Sequence, residues 1–182
     1  MITNFVLFQI GWFACVLGGA HDWPWLGTSI ALVIVGWHVA RAVRPRDELV
    51  LILIAAGIGA VFDSALVILG WVAYHSGTLI PGTAPYWIVT LWMLFATTLN
   101  VSLRWLRRSR LAAIALGAVG GPLAYWGGAR LGAMEFVVPV AATAAIAVGW
   151  AVLTPFLVWL AQQFDGYAPA SVAIMESGSR GV

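Results

Sequence analysis

Apolar runs long enough to cross a bilayer follow one another along almost the whole chain, with only short polar breaks between them. A helix needs about 20 mainly apolar residues to span the hydrocarbon core. Six spans are expected: Ile2 to Ala20, Leu26 to Val43, Glu48 to Tyr74, Tyr86 to Leu106, Leu111 to Leu131 and Phe136 to Phe164. Composition agrees, because 62% of the residues are hydrophobic and 9% charged, too few charges to cover a soluble domain. Within 182 residues such spans leave no room for a second domain. The fold class is therefore an all-α membrane protein: a six-helix transmembrane domain over residues 1–164, short loops, and a flexible cytoplasmic tail over 165–182.

The breaks fix an orientation. "RAVRPRDE" and "RWLRRSR" carry Arg41, Arg44, Arg46, Arg104, Arg107, Arg108 and Arg110, whereas "HDWPW", "HSGTLIPGTAPY" and "AMEF" carry no arginine. The positive-inside rule puts both basic breaks in the cytoplasm, and an even number of spans then puts both termini there. Arg130 is the exception, with Asp22 or Glu135 available to neutralise it. Trp23, Trp25, Trp71, Trp87 and Trp126 fall at the outer ends and Trp37, Trp105 and Trp159 toward the inner ones, as an aromatic belt requires. Trp12, Trp92 and Trp150 lie deeper and read as helix packing or as a stacking surface for a ligand. The N-terminal run lacks the basic leader of a signal peptide and is expected to be retained. Cys15, the sole cysteine, has no partner for an internal disulfide.

One residue interrupts "ILIAAGIGAVFDSALVILGWVAY": Asp63. Residues three, four and seven positions away on a helix share its face, which gives Ala56, Gly59, Ala60, Val67 and Gly70. A carboxylate turned to lipid at mid-depth costs about 2.5–3.5 kcal/mol or more. A stripe of small residues instead lets a second helix come close with a hydrogen-bond partner. Asp63 is expected to face the interior, and an ionisable group there is a candidate site.

Depth gives it company. Gln9, His38, Glu48, Thr97, Asn100 and Arg104 all fall in the half nearer the arginine-rich breaks, with Arg41, Thr98 and Ser102 beside them. Together with Asp63 they suggest a polar cavity open to the cytoplasm. Each also has a plainer reading. Glu48 beside "RPRD" suits a loop-end ion pair, His38 an interfacial position, and Gln9 and Asn100 hydrogen bonds between helices. The fifth span, with Gly117, Gly121, Gly128 and Gly132 on one side and Pro122 mid-way, reads as a close-packing, kinked element. Pro139 and Pro155 lie near the ends of the sixth.

No metal or cofactor is implied. His21, His38 and His75 are divided between the two sides, and there is no H-E-x-x-H, P-loop or G-x-S-x-G motif. The basic runs sit at membrane edges, which suits lipid headgroups rather than nucleic acid.

The chain resembles a bacterial family of inner-membrane proteins of unknown function, domain-of-unknown-function family two-eight-seven-eight. The resemblance lies in "NFVLFQIGWFACVLGGA", "RDELVLI" with "FDSALVILG", "YWIVTLWMLFATTLNVSL" and "GPLAYWGGARLGA". In the family pattern a histidine commonly follows the asparagine of "TTLN"; this chain has Val101, a departure that weakens the idea of obligatory histidine chemistry there. The resemblance implies a six-span inner-membrane bundle with a role in membrane lipids or membrane stress, and it brings no catalytic residues.

Three functions remain open. The bundle binds or carries an apolar or lipid-like molecule anchored by Asp63, Asn100 and Gln9, with a vitamin-transporter-like binding subunit as a variant. Alternatively it is a lipid-modifying enzyme using Glu48 or Asp63 with His38, or an accessory subunit of a membrane complex or homo-oligomer. An enclosed cavity lined by the anchors favours the first, a carboxylate–histidine contact in a cleft the second, and full side-chain pairing without a cavity the third.

Overall fold

The computed structural model describes residues 1–168. Its order is α1 Ile2–Ala20, α2 Pro24–Ala40, α3 Pro45–Ile68, β1 Val72–Tyr74, α4 Tyr86–Leu99, a 3₁₀ helix Arg104–Arg108, α5 Arg110–Arg130, β2 Met134–Phe136 and α6 Pro139–Gln163. Four of these helices, α1, α3, α5 and α6, are long and apolar enough to cross a membrane, and they mark the chain as a membrane protein. At 17 and 14 residues, α2 and α4 are apolar but shorter.

The boundaries follow local chemistry. Prolines 24, 45 and 139 stand at the first turns of α2, α3 and α6, where no backbone N–H is needed. Asp47 and Glu48 occupy the first turn of α3, favourable at the positive end of the helix dipole. The third expected span ran on to Tyr74, but α3 stops at Ile68. Gly70 turns left-handed there (φ 68°), with Gly70 N–H on the Val67 carbonyl and Trp71 N–H on that of Leu66. α5 ends by the same device at Gly132 (φ 87°), whose N–H meets Ala129 while Ala133 N–H meets Gly128. Each turn releases a three-residue strand, and β1 pairs antiparallel with β2, Ala73 opposite Glu135. This small sheet stitches the α3–α4 connection to the α5–α6 connection, and β2 delays α6 to Pro139.

The fourth expected span ran to Leu106, but α4 ends at Leu99. Thr97 and Thr98 return their hydroxyls to the Leu94 and Phe95 carbonyls, and Asn100 becomes the C-cap. The helical face proposed for Thr97, Asn100 and Arg104 is therefore broken between its first and second members.

α4 is the hub of the bundle, packed against α1, α2 and α3, while α5 packs chiefly on α6. Glycines set these distances. A Cβ on Gly27 would lie 2.2 Å from the Ala14 carbonyl oxygen, so α2 crosses α1 at backbone contact. A Cβ on Gly117 would lie 2.1 Å from the Trp150 carbonyl oxygen and one on Gly121 2.4 Å from Trp150 Cγ, so α5 rests directly on α6. The stripe expected to pack the fifth span does so at these two positions; Gly132 belongs to the turn beyond the helix.

Candidate functional site

Three constellations use the buried polar residues, and they are distinct in space. The first surrounds Asp63, which is fully buried. Its Oδ1 accepts from the Tyr74 hydroxyl at 2.6 Å and the Tyr125 hydroxyl at 2.8 Å, and its Oδ2 accepts from Trp92 Nε1 at 2.8 Å. The small-residue stripe makes this possible: a Cβ on Gly59 would lie 2.0 Å from Trp92 Cγ, so only glycine lets the indole lie across α3 and reach the carboxylate. Asp63 thus ties α3 to β1, α4 and α5 by three donors. Burial first, and the Asp63 carboxylate second, push the Tyr74 hydroxyl well above the ordinary tyrosine range, which keeps it a donor.

The second lies at the arginine-rich end. Glu48 is fully buried; its Oε1 meets His38 Nε2 at 2.7 Å, and its Oε2 accepts from Asn100 Nδ2 at 2.7 Å and Gly166 N–H at 3.2 Å. Asn100 also donates to the Phe164 carbonyl at 3.0 Å and accepts from Arg107. Arg104 and Arg107 each place a nitrogen 2.8 Å from Asp165 Oδ2. In a 3₁₀ helix residues three apart eclipse one another, which aligns the two guanidinium groups on one oxygen. Arg44 closes the rim through the Asp165 and Gly166 carbonyls, and the Tyr167 hydroxyl donates to the His38 carbonyl at 2.7 Å. Asp165 to Tyr167, the start of the segment expected to be a free tail, is folded onto the bundle; residues 169–182 of that expectation lie outside the described residues.

The third is a partly open cavity of about 440 Å³ bounded by α1, α4, α5 and α6. That volume falls within the range of about 300–1,000 Å³ common for small-molecule sites. α1 contributes Phe8, Gln9 and Trp12, α4 Leu91, Trp92 and Phe95, α5 Gly120, Ala124 and Tyr125, and α6 Trp150 and Thr154. Three more lining residues, Phe5, Leu116 and Leu123, are also exposed on the outside of the bundle, so the mouth opens sideways between α1 and α5. The stacked pair Trp92 and Trp150, ring centres 4.6 Å apart, forms one wall. The Trp150 indole N–H is directed at the Tyr125 hydroxyl, and Thr154 Oγ1, packed against Gly117, is buried without a hydrogen-bond partner among the described residues.

Of the seven candidate residues, Gln9 lines this cavity. Asp63 stands behind it, reaching its wall only through Trp92 and Tyr125. His38, Glu48, Asn100 and Arg104 gather in the end network, and Thr97 is bound into the Asn4–Ser102 contact beside it through its carbonyl. The single polar cavity expected to hold Asp63, Asn100 and Gln9 together is thus three separate places, because α4 ends about two turns early and Asn100 turns to Glu48 of α3. The about 15 residues of helix between Glu48 and Asp63 hold their carboxylates about 22 Å apart along α3, too far to act together.

Sequence reasoning did not foresee Tyr74, Tyr125, Arg107, Asp165, Tyr167 or Thr154 in these roles. Tyr125 carried a signal as the one tyrosine amid the small residues of α5. Trp92 and Trp150 were singled out by depth; they stack on one another and pack helices together, as the first reading held, and they also line the cavity.

No curated protein and no solved structure matches the chain. The family model described as "Protein of unknown function (DUF2878)" matches residues 1–156, which takes in all of the cavity and the Asp63 clamp, and the chain belongs to that family.

Proposed function

We propose that the chain is a membrane binding or carrier protein that holds one apolar or lipid-like molecule in the cavity between α1, α4, α5 and α6. The observation that carries this reading is the cavity itself: about 440 Å³, walled by aromatic and aliphatic side chains, with a mouth flanked by exposed Phe5, Leu116 and Leu123 where acyl chains would lie. Close-packed interiors hold few voids larger than a water molecule. This one is held open by a clamp, because Asp63 fixes Trp92 and Tyr125 as two of its walls. Gln9 remains the anchor from the earlier set, and Asp63 and Asn100 become supports.

The reading includes a six-span arrangement in a bacterial inner membrane, both termini cytoplasmic, and a link to membrane-lipid metabolism. Its support is that Arg41, Arg44, Arg46, Arg104, Arg107, Arg108 and Arg110 all fall in the connections at one end. α2 and α4 reach the needed length only together with their flanking turns. Reporter fusions after residues 42 and 109 against fusions in the β1 and β2 connections test the orientation.

The test of binding is mass spectrometry of molecules retained by gently extracted parent and Gly120→Leu protein. A Cβ on Gly120 meets only Leu116 Cδ1, at 3.9 Å, so the leucine fills the cavity without a clash. A defined compound held by the parent and lost from the folded variant supports the reading; identical bulk lipid in both sinks it.

A second reading, a lipid-modifying enzyme, is favoured by one observation, the 2.7 Å His38–Glu48 contact. Acid–base chemistry needs that pair within reach of a substrate atom, whereas Asn100, Gly166 and Tyr167 cover it. Turnover that survives His38→Gln and Glu48→Gln would exclude this reading.

A further inference from the structure

Resting on the cavity reading above, we infer that the occupant is an uncharged lipid whose head both donates and accepts a hydrogen bond. A long-chain alcohol is its simplest form, with the hydroxyl held by the Gln9 amide beside the Trp12 indole. Phe5, Gln9, Trp12 and Val16 follow one another at the spacing of one helix face, and all four line the cavity. Gln9 lies about 10 Å along α1 from Ile2, between aromatic neighbours on that wall. The chain supplies its own reference for such a group. Asn4 donates to the Thr97 carbonyl and accepts from Ser102. Asn100 donates to Glu48 and accepts from Arg107, and Gln162 donates to the Val158 carbonyl. The half-buried Gln9 amide makes no hydrogen bond among the described residues, and neither of its polar atoms is sealed in. The contrast repeats one turn on. The Trp87, Trp92 and Trp126 indoles donate to the Ser76 carbonyl, Asp63 and Thr143, whereas Trp12 Nε1 is unpaired among the described residues and likewise not sealed in.

The amide sets the chemistry, because its oxygen accepts and its nitrogen donates. Leaving it unpaired among apolar walls is costly. An ester, ketone or ether oxygen would satisfy only the nitrogen. A hydroxyl donates to Gln9 Oε1 while its own oxygen accepts from an N–H, that of Gln9 or of Trp12. Charge decides against an ionised head. No arginine, histidine, aspartate or glutamate lines the cavity. Asp63 has both oxygens engaged behind Trp92 and Tyr125, and Arg104 and Arg107 are committed to Asp165. An ion placed among these walls would be desolvated without a counter-charge. Phe5, one turn before Gln9 on the same face, is exposed at the mouth. A head at Gln9 therefore sits just inside the opening, with its chain along the Trp92–Trp150 stack.

The experiment uses a vicinally dibrominated long-chain alcohol, its methyl ether, the matching dibromoalkane and the matching fatty acid in ionised form. Quenching of tryptophan fluorescence is followed in a detergent that carries no hydroxyl. The alcohol is expected to quench saturably and to bind about fivefold more tightly than the ether, the worth of one net hydrogen bond. The ionised acid should bind more weakly than the alcohol. Gln9→Met, which keeps the length of the side chain and removes the amide, should bring the alcohol down to the level of the ether. Unchanged alkane binding in that variant shows that the cavity is intact. Equal binding of alcohol and ether by the parent, a comparison that needs no variant, overturns the inference while leaving the cavity reading standing. So does acid binding as tight as alcohol, or an alcohol preference that survives Gln9→Met. Failure of all four probes to saturate the parent overturns both.

Discussion

Removing the Asp63 carboxylate should unfasten the bundle rather than merely empty a site. In Asp63→Ala three buried donors, the Tyr74 and Tyr125 hydroxyls and the Trp92 indole N–H, lose their acceptor. Each orphaned donor costs about 1–3 kcal/mol, or about 3–9 kcal/mol for the three. Relief from burying the carboxylate offsets part of this, and we expect the lower half of that range. Tyr125→Phe alone removes one donor from a carboxylate that keeps two others, at about 1.5–3 kcal/mol. The informative number is the coupling between them. Once Asp63 is alanine, the Tyr125 hydroxyl has nothing to donate to, and Tyr125→Phe should be neutral or stabilising. The cycle therefore carries an interaction of at least about 1.5 kcal/mol, within the span known for groups in one hydrogen-bond network. Reversible unfolding of the parent, both single variants and the double variant in one detergent, followed by circular dichroism, measures it. Equal costs of Tyr125→Phe in both backgrounds would refute the clamp. A stable Asp63→Ala protein that loses its ligand would place Asp63 in contact with that ligand instead.

Other consequences concern the two ends of the bundle. Glu48→Ala strands His38, Asn100 and the Gly166 N–H together and should cost about 3–5 kcal/mol, read in the same unfolding assay; a loss under about 1 kcal/mol would mean water satisfies those groups. Gly70→Ala meets no atom within 4 Å but forces φ 68° on an alanine, so it should cost about 1–2 kcal/mol from backbone conformation alone, and a neutral result would show that the turn relaxes. Burial first and the Glu48 carboxylate second push Tyr167 up to about 12. Its contribution is full below the ordinary value of about 10 and is lost as pH rises toward the folded value. Amide exchange at residues 165–167 should therefore accelerate between those pH values in the parent and show no such step in Tyr167→Phe.

The sequence spoke most clearly where a single physical rule dominated. Apolar length located all six helices, although it carried the third and fourth six and seven residues too far, and the face shared by Gly59 and Asp63 told which way the carboxylate points. It spoke less clearly where the outcome depended on several elements at once. The strands "VAY" and "MEF" are too short to show alternation, and only the glycines before them, Gly70 and Gly132, hint at a turn. The end of α4 was hidden because "FATTLNVSLRWL" is apolar enough to continue. It stops because Thr97 and Thr98 bond their own backbone and Asn100 finds Glu48, a residue 52 positions away. Asp165 looked like part of a loose tail, since no local pattern announces that two arginines from another connection will close on it. Thr154 was passed over because a threonine inside a helix ordinarily bonds to its own preceding turn, and the exception is visible only in three dimensions.

These particulars assign the polar residues unequal roles. Glu48, His38, Asn100, Arg107 and Asp165 hold one another and fasten the arginine-rich end. Asp63 acts at one remove, through the two aromatic side chains that it holds against the open space. Gln9 is the candidate from the sequence that lines that space directly.

The most direct test of the cavity as the binding site is an experimental structure of the protein in a lipid nanodisc, without added ligand. The account predicts elongated density that enters between α1 and α5 and passes along the Trp92–Trp150 stack. An α5 closed onto α4, with side chains filling the space and no density between them, would contradict it.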